Sequence, residues 1–94
     1  MIKTFACKET KKIWNGQRSS KLPGDIQNRA LRKLRQLDAA LTIEDLRNPP
    51  GNRLEPLKGD RKGQYSIRIQ QQWRICFTSA KGNANDVEIV AYHS

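Results

Sequence analysis

The sequence predicts an α+β fold in which an N-terminal strand and two helices pack on one face of an antiparallel sheet. Three observations predict it. Apolar residues recur at helical spacing from Asp25 onward, Pro49-Pro50-Gly51-Asn52 then interrupts regular structure, and beyond it the hydrophobic period becomes two.

Ile2 to Phe5 alternates as a strand does, and Thr10 to Trp14 reads as a short helix stopped by Asn15-Gly16. Gln17 to Gly24 is a loop. The strongest helix begins at Asp25, which is placed to cap the N-terminus or to stabilise it by charge. Ile26, Ala30, Leu34, Leu37 and Leu41 make its apolar stripe, while Arg29, Arg32, Lys33 and Gln36 occupy the other side. That basic side has two readings of equal weight: a solvated helix surface, or a contact for RNA or a protein partner.

Thr42 to Leu46 adds a turn of helix before the two prolines remove amide donors and fix φ. Tyr65, Ile67 and Ile69 then alternate with Ser66, Arg68 and Gln70, and Trp73, Ile75 and Phe77 with Arg74, Cys76 and Thr78. Gln71-Gln72 is the turn between these half-buried strands, although it lacks the Gly or Asn a tight hairpin favours and so leaves the register open. Lys81-Gly82-Asn83 is a clearer turn, and Asp86 to Ala91 forms a further strand. Side chains alternate across a strand, so Arg68 and Arg74 leave on the face opposite the apolar set, where a groove could hold phosphate. Trp73 shares the apolar face with Ile75 and Phe77 and is assigned to the core; Trp14 is undecided.

At 94 residues the chain is expected to form one domain, residues 1–94, around one core. Its 18 lysines and arginines against 9 acidic residues give a formal net charge of +9, which points to an anionic partner. Nucleic acid, a membrane surface and an acidic protein all qualify by charge. The membrane is disfavoured, because no stretch approaches the roughly 18 apolar residues of a spanning helix. Met1-Ile2-Lys3-Thr4 opens no signal-like region, so the cytoplasm is the expected compartment. Cys7 and Cys76 stand in no C-x-x-C or Cys/His spacing and read as ordinary free thiols. With His93 the sole histidine, a His-rich metal site is excluded, and neither a metal nor another cofactor is expected.

Three segments carry residues suited to chemistry: Leu54-Glu55-Pro56-Leu57-Lys58-Gly59-Asp60-Arg61, then Ser66-Ile67-Arg68 with Trp73-Arg74, and finally Tyr92-His93. Cleaving RNA through a ribose 2′-hydroxyl requires a proton acceptor, a proton donor for the departing 5′-oxygen, and cations around a phosphorane that gains negative charge. Lys58, Arg68 and Arg74 could supply the cations. His93 is the natural acid or base, since an unperturbed imidazole titrates near neutrality, although residues beside a terminus are often frayed. Tyr92 could orient the substrate, stack on a base or donate a hydrogen bond. Gly59 and Gly63 read as turn residues rather than a phosphate-cradling loop, because no helix follows them.

Taken in order, Leu54-x-Pro56-Leu57-Lys58-Gly59-Asp60-Arg61-x-Gly63, Ser66-Ile67, Trp73-Arg74-Ile75-x-Phe77 and the closing Tyr92-His93 resemble the HigB-type toxins of the RelE/ParE superfamily. The resemblance covers nearly the whole chain. It implies a fold related to microbial ribonucleases and cleavage of messenger RNA in the ribosomal decoding site without a metal. It implies as partners the ribosome, its messenger and a small helix-turn-helix antitoxin, the toxin–antitoxin complex acting on operator DNA to repress its own operon. Lys58, Tyr92 and His93 match family positions linked to catalysis, and Arg74 matches the basic residue after the strand tryptophan. Gln72 falls where the family touches the messenger, though a plain turn residue is an equal reading. Arg61, with the helix residues Arg29, Arg32 and Lys33 and with Arg68, completes the expected RNA- and ribosome-binding surface.

Two positions depart from the pattern. Glu55 stands where some members carry histidine, and Ala91 where they carry aspartate. Glu55 can act as a base or hold a lysine, whereas Ala91 has no proton chemistry, so a modest ribonuclease is expected. The competing reading is a non-enzymatic toxin that binds nucleic acid or, like ParE-type relatives, inhibits gyrase.

Overall fold

The computed structural model describes residues 1–91. Two α-helices, α1 (Lys8–Trp14) and α2 (Gly24–Ala39), precede four strands: β1 (Glu55–Pro56), β2 (Tyr65–Gln70), β3 (Trp73–Ala80) and β4 (Asn83–Ala91). The strands form one antiparallel sheet in the order β1-β2-β3-β4. Short 3-10 turns at Ile43–Arg47, Pro50–Asn52 and Gly59–Arg61 occupy the connection from α2 to the sheet.

The apolar stripe of α2 does what its spacing predicts. Ile26, Ala30, Leu34 and Leu37 are buried against Ile67, Ile69, Ile75, Phe77, Val87 and Ile89 on one sheet face. Each leucine, isoleucine, valine or phenylalanine removed from water in this way contributes about 1.5–3 kcal/mol. Trp73 is partly buried against the same core, as the sequence suggests, and so is Trp14. Helix α1 adds Ile13, and its buried Thr10 accepts a hydrogen bond at Oγ1 from the Ile89 amide (2.9 Å), fastening the helix to β4. The loop before α2 is pinned by the buried Gln27 carboxamide, which accepts from the Ser19 amide and donates to the carbonyls of Ser19 and Leu22.

Several local expectations are corrected. The first residues do not make a full strand: Ile2 and Phe5 form isolated parallel bridges to Ala84 and Val87 on the outer side of β4. Asp25 lies in the first turn of α2, favourable to the helix dipole, but Pro23 holds the cap position, with no side-chain cap. Leu41 fits the helical period, yet the helix ends at Ala39 and Leu41 is 78% exposed. The Pro50–Asn52 segment is ordered as a 3-10 turn that buries Asn52 completely.

Both hairpins follow from their turn residues. Lys81 (φ 54°) and Gly82 (φ 78°) are left-handed, the backbone a two-residue turn needs to match strand twist, and Ala80 pairs directly with Asn83. Gln71 and Gln72 adopt no positive φ, and the β2–β3 register shifts by one residue between Arg68 and Gln70. A second shift lies between Cys76 and Thr78, opposite the left-handed Asp86 (φ 53°).

The sheet's second face is not simply solvated. Ser66, Arg74 and Cys76 are buried there, because the chain from Arg53 to Arg61 crosses over them. Among the described residues no helix is long and apolar enough to cross a membrane.

Candidate functional site

Strand register places the relevant side chains on that second face. Glu55, Ser66, Cys76 and Glu88 are successive partners across the four strands, and Arg68, Arg74 and Val90 form the adjacent row. Arg74 is 6% exposed. Its Nε donates to Ser66 Oγ at 2.7 Å and its Nη2 to the Arg53 carbonyl at 2.6 Å, while the Glu55 carboxylate lies 3.6 Å from Nη2. Two acceptors on different nitrogens of one planar fork fix the plane of the guanidinium as well as its position.

Glu55, expected either as a base or as a holder of lysine, stands beside this arginine. Lys58 is exposed at the entry to the Gly59–Arg61 turn and forms no ion pair with Glu55 among the described residues. Gly59 and Gly63, at φ 65° and 94°, are turn residues as read. Arg61, expected on the RNA surface, ties its loop to the sheet: Nη2 meets Glu88 Oε1 at 3.2 Å and Nη1 meets Gln64 Oε1 at 3.1 Å. Cys76 lies under these groups. Burial pushes its thiol pKa up, helped by Glu88 and Glu55 and opposed by Arg61 and Arg74, which favours the protonated, unreactive form.

The other predicted cations converge elsewhere. β1 pairs only with Tyr65 and Ser66, and beyond that point a cleft of about 530 Å³ opens between the end of β2 and the basic side of α2. Arg29, Arg32, Lys33 and Arg68 line it, joined by Gln36, Gln70 and Gln71. Lys33 is held by Asn52 Oδ1; burial first, then Arg29 and Arg32, push its pKa down. The cleft brings together four cations that the sequence assigned to RNA contact. Gln72 is exposed at the neighbouring turn, and the amides that face the cleft are those of the two residues before it.

Tyr92 and His93 lie outside the described residues. β4 is described to Ala91, whose partner is Trp73, the residue before Arg74. Among the described residues no three His, Cys, Asp or Glu side chains are grouped as a metal would require.

Two contributors escape a reading of the sequence. Ser66 is noticed there only as part of a motif, although the diagonal neighbour rule for paired strands could have assigned it to Arg74 once register was known. Asn52 reads as a loop residue and carries no periodic signal at all.

Comparison with known proteins places this geometry. The profile of a family described as the RelE-like toxin of type II toxin–antitoxin system HigB matches residues 3–93. Toxin HigB-1 of Vibrio cholerae is 49% identical over 63 residues, which span 67% of this chain and 66% of that protein. Endoribonuclease HigB of Proteus vulgaris is 36% identical over 93 residues, covering 99% of this chain and 100% of that protein. A chain of the YoeB–YefM complex from Staphylococcus aureus superposes with a TM-score of 0.62 at 20% identity, covering 100% of this chain and 97% of its own. A YafQ mutant from E. coli gives 0.59 at 17% identity, with 97% and 91% covered. At these identities the structural likeness establishes the α+β fold alone.

Proposed function

This chain belongs to the RelE-like HigB toxins of type II toxin–antitoxin systems, and on that premise we propose that it is a metal-independent endoribonuclease that cuts messenger RNA in the ribosomal decoding site. It inhibits translation in the cytoplasm until a helix-turn-helix antitoxin neutralises it, and the complex of the two represses its own operon at operator DNA. The observation that carries the chemical part is the buried Arg74 guanidinium, set in one orientation by Ser66 and the Arg53 carbonyl. A donor already aimed at developing negative charge needs no reorganisation during the reaction.

In this reading the 2′-hydroxyl oxygen attacks the adjacent phosphorus, its proton passing to a base, and the P–O5′ bond breaks as an acid protonates the departing oxygen. His93 supplies proton transfer, and Tyr92 orients the substrate. Glu55 serves the base or holds the Arg74 fork. Lys58, Arg68 and Arg74 stabilise the phosphorane, and the cleft with Arg29, Arg32 and Lys33 receives backbone phosphates of the messenger or of ribosomal RNA. Gln72, exposed at the turn, touches the messenger, and Arg61 contributes charge at the rim. Ala91 removes one proton-transfer group from the constellation, which keeps the rate modest.

Translating ribosomes incubated with the protein should yield defined cuts within codons, and His93→Ala or Lys58→Ala should abolish them. Intact message with the unaltered protein, together with inhibition of gyrase supercoiling, would replace this reading by that of a gyrase-directed toxin.

A further inference from the structure

The Asn52–Arg53 corner belongs to none of the three segments singled out for chemistry, yet the Arg53 carbonyl meets Arg74 directly. Arg53 is an exposed arginine in the left-handed conformation (φ 44°, ψ 53°). An L-residue adopts that backbone at a cost of about 1–2 kcal/mol, and keeps it only where its surroundings over-determine it. Arg53 closes the Pro50–Asn52 turn, its amide donating to the Pro50 carbonyl at 3.1 Å, and the residue before it, Asn52, is anchored by its side chain. Asn52 is wholly buried; its Nδ2 donates to the Leu46 carbonyl (3.1 Å), the Asn48 carbonyl (3.3 Å) and Gln36 Oε1 (3.3 Å), and its Oδ1 accepts from Lys33. One carboxamide therefore fastens the segment before Arg53 to α2 and to itself.

We infer that this corner is a positioning element: Asn52 holds Arg53 left-handed so that the Arg53 carbonyl orients the Arg74 guanidinium. The Arg53 side chain takes no part, since the carbonyl oxygen meets Nη2 at 2.6 Å. Were Arg53 to relax to the ordinary extended or helical backbone, its carbonyl would swing away from Nη2. The shortest of the hydrogen bonds that Nη2 donates among the described residues would then be lost, leaving it the longer contact to the Ser66 carbonyl at 3.5 Å. Lys33 links the same corner to the wall of the basic cleft, so cleft and guanidinium are joined through three residues. The catalytic consequence rests on the ribonuclease reading; the geometric claim does not.

The test exploits the backbone rather than the side chain. Arg53→Gly and Arg53→Val both delete the same guanidinium, but glycine keeps the left-handed conformation freely and a β-branched residue resists it. Arg53→Ala, without β-branching, falls between them. Single-turnover cleavage on programmed ribosomes should give a maximal rate near the unaltered value for Arg53→Gly and a loss of ten- to a hundredfold, on the order expected for a misplaced group, for Arg53→Val. The toxin concentration for half-maximal rate should shift equally in both. In the arginine side-chain region of a heteronuclear NMR spectrum, the Arg74 Nε–H signal should stay sharp in the glycine variant and broaden in the valine variant, with the alanine variant intermediate. Equal rates and equal Arg74 signals in all three variants would overturn the inference. If the unaltered protein cuts no RNA, the ribonuclease reading fails, and the Arg74 signal alone still decides whether the corner positions it.

Discussion

Arg68 and Arg74 are direct partners across β2 and β3 on one sheet face, and Arg74 is the one that is buried. Like charges placed opposite one another repel, so the pair persists because each has a different outlet. Arg74 is enclosed by Ser66, the Arg53 carbonyl and Glu55, whereas Arg68 lines the cleft beside α2.

Arg74→Lys keeps the charge and loses the fork. One ammonium group cannot reproduce the planar set of donors that meets Ser66 and Arg53 together. We expect the maximal cleavage rate on programmed ribosomes to fall by roughly a hundredfold, the scale of losing one pre-aimed donor. An unchanged rate would remove Arg74 from the chemistry.

Arg29→Glu and Arg32→Glu act in the cleft, away from the Arg74 row. Binding to ribosomes should weaken for each, and the slope of log affinity against log salt should flatten by about one per lost phosphate contact. The maximal rate should change far less than the half-saturating concentration. A filter-binding titration at several salt concentrations, beside single-turnover cleavage, reads both.

Glu9 gives a pH-dependent contribution to stability whose sign is fixed. The hydrogen bond from Ser19 Oγ (2.5 Å), then Lys12 and Lys21, hold its carboxyl below the ordinary value of 4.5 against the opposing effect of burial. The folded state therefore binds that proton less readily than the unfolded chain, so the stabilisation is full above pH 4.5 and is lost as pH falls through the depressed value. Urea midpoints measured on either side of that window should drop more in the unaltered protein than in Glu9→Gln. Parallel curves would show that Glu9 contributes nothing.

Gly82→Ala should be among the costlier single changes at the surface. Gly82 has φ +78°, and an added Cβ would come within 2.9 Å of the Leu41 carbonyl oxygen, a backbone atom that cannot step aside cheaply. A loss of about 1–3 kcal/mol is expected, which lowers the melting temperature of a domain this size by roughly 4–8 °C for each kcal/mol. Gly51→Ala, where nothing lies within 4 Å of the new methyl group, serves as the control and should be nearly neutral.

Much of the fold was legible because its signals are local. The α2 stripe, the stop at Asn15-Gly16, the left-handed Lys81-Gly82 turn and the alternation of β2 and β3 each depend on a few adjacent residues. Leu41 shows the limit, since a helical period continues in sequence after the helix has stopped. Burial of Ser66, Arg74 and Cys76 was not legible for a different reason. Alternation assigns a side chain to a face but says nothing of whether a distant segment, here Arg53 to Arg61, crosses that face. Within the candidate site, alternation made the shared sheet face of Arg68 and Arg74 readable. The division into a sheet-face row and a separate cleft depends on how short β1 is, and the role of Asn52 on contacts with α2 and with its own preceding loop; no spacing rule encodes either.

The two parallel bridges at the beginning of the chain have a consequence for how the molecule meets others. Met1, Lys3, Thr4 and Ala6 answer the outward amides and carbonyls of Ala84, Asp86 and Val87, and Thr10 answers that of Ile89. Among the described residues the outer flank of β4 is thus covered from Ala84 to the Ile89 amide, whereas on the opposite margin β1 pairs with Tyr65 and Ser66 and leaves the rest of β2 without a strand neighbour. The two margins of the sheet therefore differ in how much unpaired backbone they present.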